Sequence, residues 1–462
     1  MKYHSTRSKN IKKTFSEVIL EGLAADGGLF VPESIPKLDV EKLISFKSFS
    51  YADLAYEVML PFVGDAIPDQ DLRDLVQKTY TKEIFGSETI APVEHLFGDV
   101  YLQDLSSGPS LAFKDMAMQF LGHLLDYELT RQNKRLCILG ASSGDTVSAA
   151  EEALKEKSRI DVVMLTPKEG MSPFQKAQAG SILADNIYNL SVPGPFDTCQ
   201  DIVKEINRDL DFKEKYNIGA VNSINWGRIL AQIVYYVSAY LQLNKEAIDV
   251  VVPTGNFGNV LAAYYVKRMG VPIRKLIVAT NENHVLHTFI QTGIYKQKTV
   301  TVTSSPSMDI SKASNLERFL YDLAGQDSET LLAWMQTFET RQHCDLSEHQ
   351  NEVKKHGFES GEASHENRQE LIEKVYKNAN RVIDPHTAAG IYVGEQYCQN
   401  DGIPMLCMET AKATKFESTV KQAIGTVPDR IEKFKNLESK ETRFYDVDGS
   451  ASSVKAFIEK TI

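Results

Sequence analysis

The chain has few cysteines for its length. Five cysteines stand among 462 residues, and no two of them form a Cys-x-x-Cys pair. They are too few and too scattered for a disulfide framework, which favours a reducing compartment and predicts a cytoplasmic protein. No apolar run approaches the roughly 18 residues of a membrane span. The first ten residues are basic but lack the apolar run of a signal peptide.

Positive charge is also in short supply. Lys and Arg number 51 against 62 Asp and Glu, which gives a net charge of −11 at pH 7. A net acidic protein has no general attraction for nucleic acid or for an anionic membrane, so neither is predicted as a partner. An anionic small-molecule substrate remains compatible with this charge, because a small site can be locally positive.

A metal site is not indicated either. Histidines cluster in one polar segment at His343, His349, His356 and His365. Their spacings match no zinc pattern, and no cysteine pair accompanies them. We therefore interpret these histidines as residues of solvated helix faces and predict no metal.

What the sequence does contain is typical of a globular α/β protein. Apolar residues make up 42% and charged residues 24%, which argues against global disorder. From about residue 99, short apolar strands alternate with helical patterns, and this alternation predicts parallel sheets. We predict a mainly helical region over 1–95, a smaller α/β domain over 96–220 and a larger α/β domain over 221–462. The larger domain carries a polar, mainly helical insertion at about 305–380.

Hydrophobic spacing predicts individual elements within this scheme. Apolar residues at helical spacing or in short runs, bounded by turn residues, give the following assignments. The predicted helices include 51–60, 69–80, 115–131 and 225–243, and the predicted strands include 135–139, 161–165, 186–190, 249–252 and 275–280.

Two glycine-containing loops share one design. Ser142 to Thr146 follows a predicted strand and opens a helix, and Thr254 to Asn259 does the same. Glycine lets backbone N–H groups approach a ligand closely, and a helix N-terminus favours an anion. Neither loop is a Walker A sequence, and neither fits Gly-x-Gly-x-x-Gly. Each predicts either a phosphate-binding loop or an ordinary tight turn. In the second loop Phe257 is the single bulky side chain, so we expect an exposed backbone there.

One lysine stands in an unusual setting. Lys114 lies at a loop-to-helix junction among apolar residues. Burial and the positive end of a helix both lower a lysine pKa, and a neutral amine is a nucleophile for a carbonyl group. The alternative is a surface lysine paired with Asp115.

These segments resemble the threonine synthase family. Pro109 to Asp115 is similar to the family's pyridoxal-phosphate lysine segment, Ser143 to Thr146 to its Ser-Gly-Asp-Thr loop, and Gly255 to Gly258 to its cofactor-phosphate loop. Further matches run in family order over nearly the whole chain. They are 5–7, 22–32, 222–228, 279–281, 306–310, 384–387 and 410–411.

The sequence also departs from the family pattern. Val147 stands where Ser-Gly-Asp-Thr is usually followed by glycine, and Ser8 replaces a glycine after Ser-Thr-Arg. Lys412-Ala413-Thr414-Lys415-Phe416 replaces the usual His-Pro-Ala-Lys-Phe. The change at Val147 bears most directly on substrate choice, because it lies beside the expected substrate loop.

The resemblance implies a fold-type II pyridoxal-phosphate enzyme. Its fold would have two parallel-sheet α/β domains, a helical N-terminal region and a helical polar insertion. Its activity would convert O-phospho-L-homoserine and water to L-threonine and phosphate, with pyridoxal phosphate as electron sink. Lys114 would bind the cofactor covalently and act as general base. Gly255, Asn256, Phe257, Gly258 and Asn259 would hold the cofactor phosphate, and Thr410 would hydrogen-bond the pyridine nitrogen.

The resemblance also implies two groups of substrate-binding residues. The first is Ser142, Ser143, Asp145 and Thr146, and the second is Asn222, Ser223, Asn225 and Arg228. A phosphate favours an arginine fork and hydroxyls, which makes Arg228 the expected cation. Lys176 and His386 are weaker candidates, because a histidine after a proline is more often a hydrogen-bonded core residue.

Three other functions remain open at this point. A related phospholyase would release phosphate, ammonia and 2-oxobutyrate from O-phosphohomoserine or phosphothreonine, and Val147 keeps this alternative in view. A degenerate homologue could bind a phosphorylated amino acid as a sensor, although the retained Lys114 argues against it. A nucleotide-binding α/β enzyme lacks its expected Walker lysine. We expect a monomer or a homodimer.

Overall fold

The structure, a computed structural model, describes residues 1–142, 144–169, 171–399 and 401–462. The chain divides into two compact units. Unit 1 comprises Met1–Val18, Leu23–Phe113 and Ser223–Asp429. Unit 2 comprises Ile19–Gly22, Lys114–Asn222 and Arg430–Ile462.

The strands are short and mostly buried. In chain order they are β1 (Tyr3–Ser5), β2 (Lys12–Lys13), β3 (Phe30–Pro32), β4 (Val93–Phe97), β5 (Val100–Asp104), β6 (Leu136–Ala141), β7 (Ile160–Pro167), β8 (Ile187–Val192), β9 (Ile218–Gly219), β10 (Ile248–Pro253), β11 (Ile273–Thr280), β12 (Ile294–Lys296), β13 (His343–Asp345), β14 (Phe358–Glu362), β15 (Met405–Glu409) and β16 (Tyr445–Asp446).

The α-helices alternate with these strands. In chain order they are α1 (Phe15–Glu21), α2 (Val40–Ser45), α3 (Tyr51–Val63), α4 (Asp69–Thr79), α5 (Lys82–Phe85), α6 (Asp115–Arg131), α7 (Asp145–Leu154), α8 (Pro173–Gly180), α9 (Phe196–Arg208), α10 (Leu210–Lys215), α11 (Trp226–Leu243), α12 (Gly258–Met269), α13 (Val285–Thr292), α14 (Leu316–Leu323), α15 (Ser328–Arg341), α16 (Gln350–Lys355), α17 (His365–Ala379), α18 (Pro385–Glu395), α19 (Glu417–Ile424) and α20 (Ala451–Thr461).

Unit 1 is built on a sheet with the strand order β14-β11-β10-β15-β5-β4. All neighbouring pairs in it are parallel except β4 with β5. Every residue of β10 and of β15 is buried, as expected for central parallel strands covered on both faces. Helices α17 and α18 contribute to the apolar core against these strands. A small antiparallel sheet, β2-β1-β3, lies in the N-terminal part of the unit.

Unit 2 is built on a second sheet, with the order β16-β8-β7-β6-β9. Its pairs are all parallel. Its core combines β6, β7 and β8 with α9 and α20. Helix α8 has a well-defined start: Ser172 caps it in a capping box with Gln175, and Pro173 occupies the first turn.

The predicted elements are confirmed in position and type. Helix α6 covers the predicted 115–131, and the predicted helices at 51–60, 69–80 and 225–243 correspond to α3, α4 and α11. The predicted strands correspond to β6, β7, β8, β10 and β11. The α/β class with two parallel sheets is confirmed as well.

The predicted division of the chain differs from the two units in several places. Residues 96–113 carry β5, which pairs with β15 and so belongs to unit 1. Residues 430–462 carry β16, which pairs with β8 and so belongs to unit 2. The segment 305–380, predicted as a helical insertion, also contributes the sheet strand β14. Each difference comes from pairing between residues far apart in sequence, which composition and periodicity do not encode.

No helix in the described part of the chain is long and apolar enough to span a membrane. The five cysteines are free, and all but Cys398 are buried.

Candidate functional site

In unit 1 the predicted cofactor residues follow neighbouring parallel strands. Strands β10, β15 and β5 are adjacent in the sheet and run in the same direction. Their carboxyl ends therefore share one edge, the place where open α/β sheets bind ligands. The loop 254–259 follows β10, Thr410 follows β15, and the segment that ends at Phe113 follows β5.

The 254–259 loop is held in a tight backbone conformation. A Cβ on Gly255 would overlap the backbone carbonyl oxygen of Ser307, so this position requires glycine. Phe257 has a left-handed φ of +65° and caps α12, a conformation that non-glycine residues rarely adopt. Its side chain is 1% exposed and packs against Phe319 and Phe358. The ring of Phe257 therefore anchors the loop in the core.

Side chains from residues 314 and 315 support the same loop. The Ser314 hydroxyl donates to Asn256 Oδ1 at 3.1 Å, and the Asn315 backbone N–H donates to the Asn256 carbonyl at 3.1 Å. Asn315 Nδ2 also donates to the Ser223 carbonyl at 3.3 Å. Arg318, fully buried, donates to Asn315 Oδ1 at 2.6 Å. This network fixes the shape of the loop, and a binding site needs such a fixed arrangement.

Asn259 lies in the first turn of α12 and is 6% exposed. Its Oδ1 accepts hydrogen bonds from the hydroxyls of Tyr235 at 2.5 Å and Tyr236 at 2.6 Å. Its Nδ2 has no hydrogen-bond partner among the described residues. A buried amide donor without a partner is the kind of group that an anionic oxygen satisfies.

These features fit the phosphate group of a cofactor. The first N–H groups of α12 have no acceptor within the helix, and the helix dipole makes this end positive. The glycine at 255 lets the loop pack closely against the Ser307 carbonyl, and the network from Ser314 and Asn315 fixes the shape of the loop. The 254–259 loop is therefore suited to bind a phosphate through backbone N–H groups.

Thr410 lies directly after β15 and is 6% exposed. Its backbone carbonyl accepts a hydrogen bond from the Phe113 N–H at 2.9 Å. Its side chain offers a neutral hydroxyl at the strand end, which can accept from or donate to a ring nitrogen.

In unit 2 Lys114 caps the N-terminus of α6. Its side chain is 13% exposed, and its Nζ lies 3.7 Å from Asp145 Oδ2. Asp145 begins α7, is 6% exposed and accepts a hydrogen bond from Gln175 Nε2 at 3.3 Å. The carboxylate attracts a positive charge on Lys114 Nζ. Asp145, predicted as a substrate residue, is thus placed beside the predicted catalytic amine.

Contacts with side chains surround the described residues of the 142–146 loop, whereas backbone lies against Gly255 in the 254–259 loop. The buried Ser142 accepts a hydrogen bond at its Oγ from the Gly144 N–H at 3.2 Å. Thr146 is half-buried, and Ser143 lies outside the described residues. A Cβ on Gly144 would stand 2.7 Å from Gln175 Nε2, the end of a flexible side chain. Val147 is fully buried in unit 2, so its side chain fills core space.

The second predicted substrate group begins helix α11. Ser223 bonds through its Oγ to Ser314 Oγ at 3.2 Å, which connects it with the 254–259 loop. Asn225 caps α11 by accepting from the Gly227 N–H at 3.0 Å. Arg228 is 5% exposed, and burial lowers the pKa of its guanidinium to about 10. Asn222 is exposed and is grouped with unit 2.

His386 is a hydrogen-bonded core residue. Its Nδ1 bonds to Asp384 Oδ1 at 2.7 Å, and its Nε2 accepts from the Ser307 N–H at 3.1 Å. Both ring nitrogens are thereby used: Asp384 orients the ring, and Nε2 holds Ser307, the residue that packs on Gly255. The sequence analysis names His386 as a weaker substrate candidate for this reason, because it expects a hydrogen-bonded core residue.

Comparison with known proteins agrees with this arrangement. Family models match over residues 2–80 (threonine synthase N terminus), 86–347 (pyridoxal-phosphate dependent enzyme) and 387–458 (threonine synthase, C-terminal). The chain is 44% identical to the threonine synthase of Methylobacillus glycogenes, with 100% of both chains covered. The chain belongs to the threonine synthase family. Its cofactor is pyridoxal phosphate, as the family model states.

Relatives within this family support the same placement. The threonine synthase of Corynebacterium glutamicum is 43% identical over 100% of this chain and 99% of its own. The solved structure of the pyridoxal-phosphate-bound threonine synthase of Brucella melitensis is 36% identical. It has a TM-score of 0.96 and coverage of 100% of this chain and 99% of that chain. Identity at this level over full length favours threonine synthase over the phospholyase alternative.

Sequence reasoning missed several residues of the site. Ser314 and Asn315 support the cofactor loop, Gln175 contacts Asp145, and Lys412 bonds to Asp104 and Glu409. A Ser-Asn pair before the apolar turn of α14 could have been recognised as a helix start. Its connection to Asn256, 58 residues earlier, is a tertiary contact that no local signal carries.

Proposed function

We infer that the chain catalyses the threonine synthase reaction, the conversion of O-phospho-L-homoserine and water to L-threonine and phosphate. The observation that carries this conclusion is the 44% identity to a threonine synthase over the full length of both chains. A half-buried lysine at a helix start and a loop suited to bind an anion are the groups that this chemistry requires.

We propose roles for the residues of the cofactor site. The 254–259 loop would hold the cofactor phosphate through backbone N–H groups and the Asn259 amide. The Thr410 hydroxyl would hydrogen-bond the ring nitrogen. When bound, pyridoxal phosphate takes up the electron pair released at a substrate carbon. A neutral hydroxyl at the ring nitrogen, in place of a carboxylate, favours elimination over transamination.

Lys114 would bind the cofactor covalently through its amine. It would then transfer protons to and from the substrate. Lys114 would take protons from Cα and Cβ of the substrate as phosphate leaves Cγ, and it would return protons to Cγ and Cα. Water would supply the hydroxyl group at Cβ, and its remaining proton would leave with the phosphate. Asp145, 3.7 Å away, would keep the Lys114 nitrogen oriented for these transfers.

Substrate binding would use the two groups at helix starts. Ser142, Ser143, Asp145 and Thr146 would form one set, and Asn222, Ser223, Asn225 and Arg228 the other. Arg228 is the cation we assign to an anionic group of the substrate. Its burial strengthens an ion pair with phosphate or carboxylate, because the surrounding dielectric is low.

The test is a product assay on O-phospho-L-homoserine with the pyridoxal-phosphate-loaded enzyme. Threonine and phosphate should form in equal amounts. Formation of 2-oxobutyrate and ammonia without threonine would instead indicate the phospholyase reaction, and a protein that binds the substrate without turnover would indicate a sensor.

We also propose the setting in which the enzyme works. Five free cysteines support a reducing compartment, so we place the enzyme in the cytoplasm. The net charge of −11 supports a small-molecule substrate without a nucleic-acid partner. A monomer or a homodimer is proposed, and light scattering distinguishes these from larger assemblies.

A further inference from the structure

Two acidic residues end neighbouring strands in unit 1. Asp104 is the last residue of β5 and Glu409 the last of β15, and they are paired in register. The Glu409 side chain is 2% exposed and the Asp104 side chain 12%. Two carboxylates side by side in a poorly solvated place repel each other and are costly to bury, unless positive groups compensate.

Lys412 supplies that compensation. Its Nζ lies 2.8 Å from Asp104 Oδ2 and 3.3 Å from Glu409 Oε2. Arg381 adds a second ion pair to Glu409 at 3.0 Å. Burial raises the pKa of Glu409 to about 7, whereas Lys412 and Arg381 oppose this rise. Burial alone would lower the pKa of Lys412, but the carboxylates of Glu409 and Asp104 hold it above its ordinary value.

The segments that follow these two strands are joined by hydrogen bonds. The Phe113 N–H donates to the Thr410 carbonyl at 2.9 Å, and the Lys412 N–H donates to the Leu111 carbonyl at 3.1 Å. Lys415 Nζ donates to the Ser110 carbonyl at 2.7 Å. Leu111 is in the left-handed region with a φ of +60°, a conformation that its surroundings must enforce.

Lys412 therefore stands where the two segments meet. Its side chain joins the strand ends, and its backbone joins Leu111 to the residues after Thr410. Thr410 is the proposed partner of the cofactor ring nitrogen, and Phe113 immediately precedes Lys114 in the chain. The position also lies in the Lys412-Ala413-Thr414 departure from the family pattern, where histidine is usual. A lysine carries its charge throughout the neutral pH range, whereas a histidine there would be charged only as far as the two carboxylates raised its pKa.

We propose that Lys412 is a positioning residue for the cofactor: its ammonium group ties the ends of β5 and β15 together and so fixes Thr410 and the 110–113 segment. This inference rests on the proposed function, because it assumes that Thr410 contacts the cofactor ring. Without this charge the carboxylates of Asp104 and Glu409 repel each other. The 110–113 segment and the segment that begins with Thr410 then move apart.

The test compares four variants of the full chain with the wild type. Lys412→Met removes the charge, Lys412→Arg keeps it, and Lys412→Met with Glu409→Gln also removes one of the opposed carboxylates. The control is Lys374→Met, which removes an ion pair with Glu395 on the surface of the same unit. The readouts are the affinity of the apoenzyme for pyridoxal phosphate, the absorption spectrum of the bound cofactor and the melting temperature of the apoenzyme.

We expect Lys412→Met to weaken cofactor affinity about 30-fold and to shift the cofactor absorption band, because small displacements of positioned groups have large effects. Lys412→Arg should stay within about 3-fold of the wild type, since it can keep both ion pairs. The double variant should recover most of the lost affinity. Lys374→Met should leave affinity and spectrum unchanged.

Two results would overturn the proposal. One is a Lys412→Met enzyme with wild-type affinity and spectrum, whether or not its apoenzyme melts at a lower temperature. The other is a double variant no better than Lys412→Met, which would show that the opposed charges are not the cause. If Lys412→Met does not fold, Lys412→Gln is measured against the same predictions. Failure of the proposed function has a separate signature, because wild-type enzyme would then bind pyridoxal phosphate without forming threonine.

Discussion

The 142–146 loop of unit 2 and the 254–259 loop of unit 1 follow the same plan but differ in what surrounds them. Both follow a buried parallel strand and both begin a helix of ten or more residues, α7 or α12. Around Gly255 the neighbour is backbone, the carbonyl of Ser307. Around Gly144 the neighbour is Gln175 Nε2, which a side-chain rotation can move.

The difference in neighbours suggests a difference in task. The 254–259 loop is fixed by Phe257 in the core and by Ser314 and Asn315 on its flank. A ligand that stays bound, such as a cofactor, benefits most from a site fixed in advance. The 142–146 loop is held by contacts among its own side chains and Gln175, which can rearrange as a substrate arrives and leaves. This difference agrees with the proposed roles, which place the cofactor at the 254–259 loop and the substrate at the 142–146 loop.

The largest effect is expected when the Lys114 amine, which lies beside the 142–146 loop, is removed. Lys114→Ala should lower kcat about 10⁴-fold, because it removes the general base and the covalent link to the cofactor. The fold should persist, since one side chain near a helix start contributes little to a large core. The matched control is Lys155→Ala, which loses a partly buried ion pair with Glu152 in the same unit. A wild-type rate for Lys114→Ala would contradict the assignment.

The next effect separates the two loops directly. Gly255→Ala should weaken pyridoxal-phosphate binding about 100-fold, because a Cβ there meets backbone that has no room to move. Gly144→Ala should leave cofactor affinity within about 3-fold and act on the substrate KM instead, because the neighbouring Gln175 side chain can give way. Cofactor titration and steady-state kinetics of both variants measure this. If Gly255→Ala and Gly144→Ala lost cofactor affinity equally, the proposed difference in role between the two loops would be wrong.

Two buried arginines of unit 1 are expected to affect different ligands when they are replaced. Burial lowers the pKa of both Arg228 and Arg318 to about 10. Arg228→Lys should raise the substrate KM about 10-fold with cofactor affinity kept, since lysine cannot form a bidentate fork. Arg318→Lys should weaken cofactor binding instead, because Arg318 holds Asn315 beside the 254–259 loop. An unchanged KM in Arg228→Lys would remove Arg228 from the substrate site.

The smallest effect concerns a carboxyl group on α7, the helix that the 142–146 loop begins. Glu151 is fully buried, and burial raises its pKa well above the ordinary value, although a hydrogen bond with Asn189 opposes this rise. A raised folded-state pKa means that stability is fully present below the unfolded pKa and is lost as pH rises toward the folded value. Glu151→Gln should therefore stabilise the protein by about 1 kcal/mol at neutral pH.

Urea unfolding from about pH 5 to about pH 8 checks this prediction. The wild type should lose stability relative to Glu151→Gln as pH rises. The control is Glu152→Gln, the next residue, whose carboxylate is paired with Lys155 and Lys433. A pH-independent difference between the wild type and Glu151→Gln would show that Glu151 is ionised in the folded protein.

Local patterns predicted the elements of both loops well. The spacing of apolar residues placed α6 from Asp115 to Arg131, and the predicted helix 225–243 begins at Asn225, which caps α11. These signals succeed because capping and periodicity act over a few residues. Family resemblance, read from motifs along the whole chain, supplied the candidate roles of Lys114 and of the two loops.

The features that the sequence could not predict depend on contacts between residues far apart in the chain. Asp104 and Glu409 become neighbours because β5 pairs with β15 across 305 residues of chain. Lys114 meets Asp145 within unit 2 because α6 and α7 pack together. The burial of Phe257 follows from Phe358, in a segment predicted as an insertion. Pairing of this kind depends on the whole fold, and a single sequence holds no local record of it.

The division of work between the two loops is tested most directly by hydrogen exchange of the full-length protein. Pyridoxal phosphate added to the apoenzyme should slow exchange of the backbone amides at 255–259. An unreactive phosphonate analogue of O-phosphohomoserine, added afterwards, should slow exchange at 142–146. Protection of 142–146 by pyridoxal phosphate without protection of 255–259 would contradict the assignment of the cofactor to the unit 1 loop.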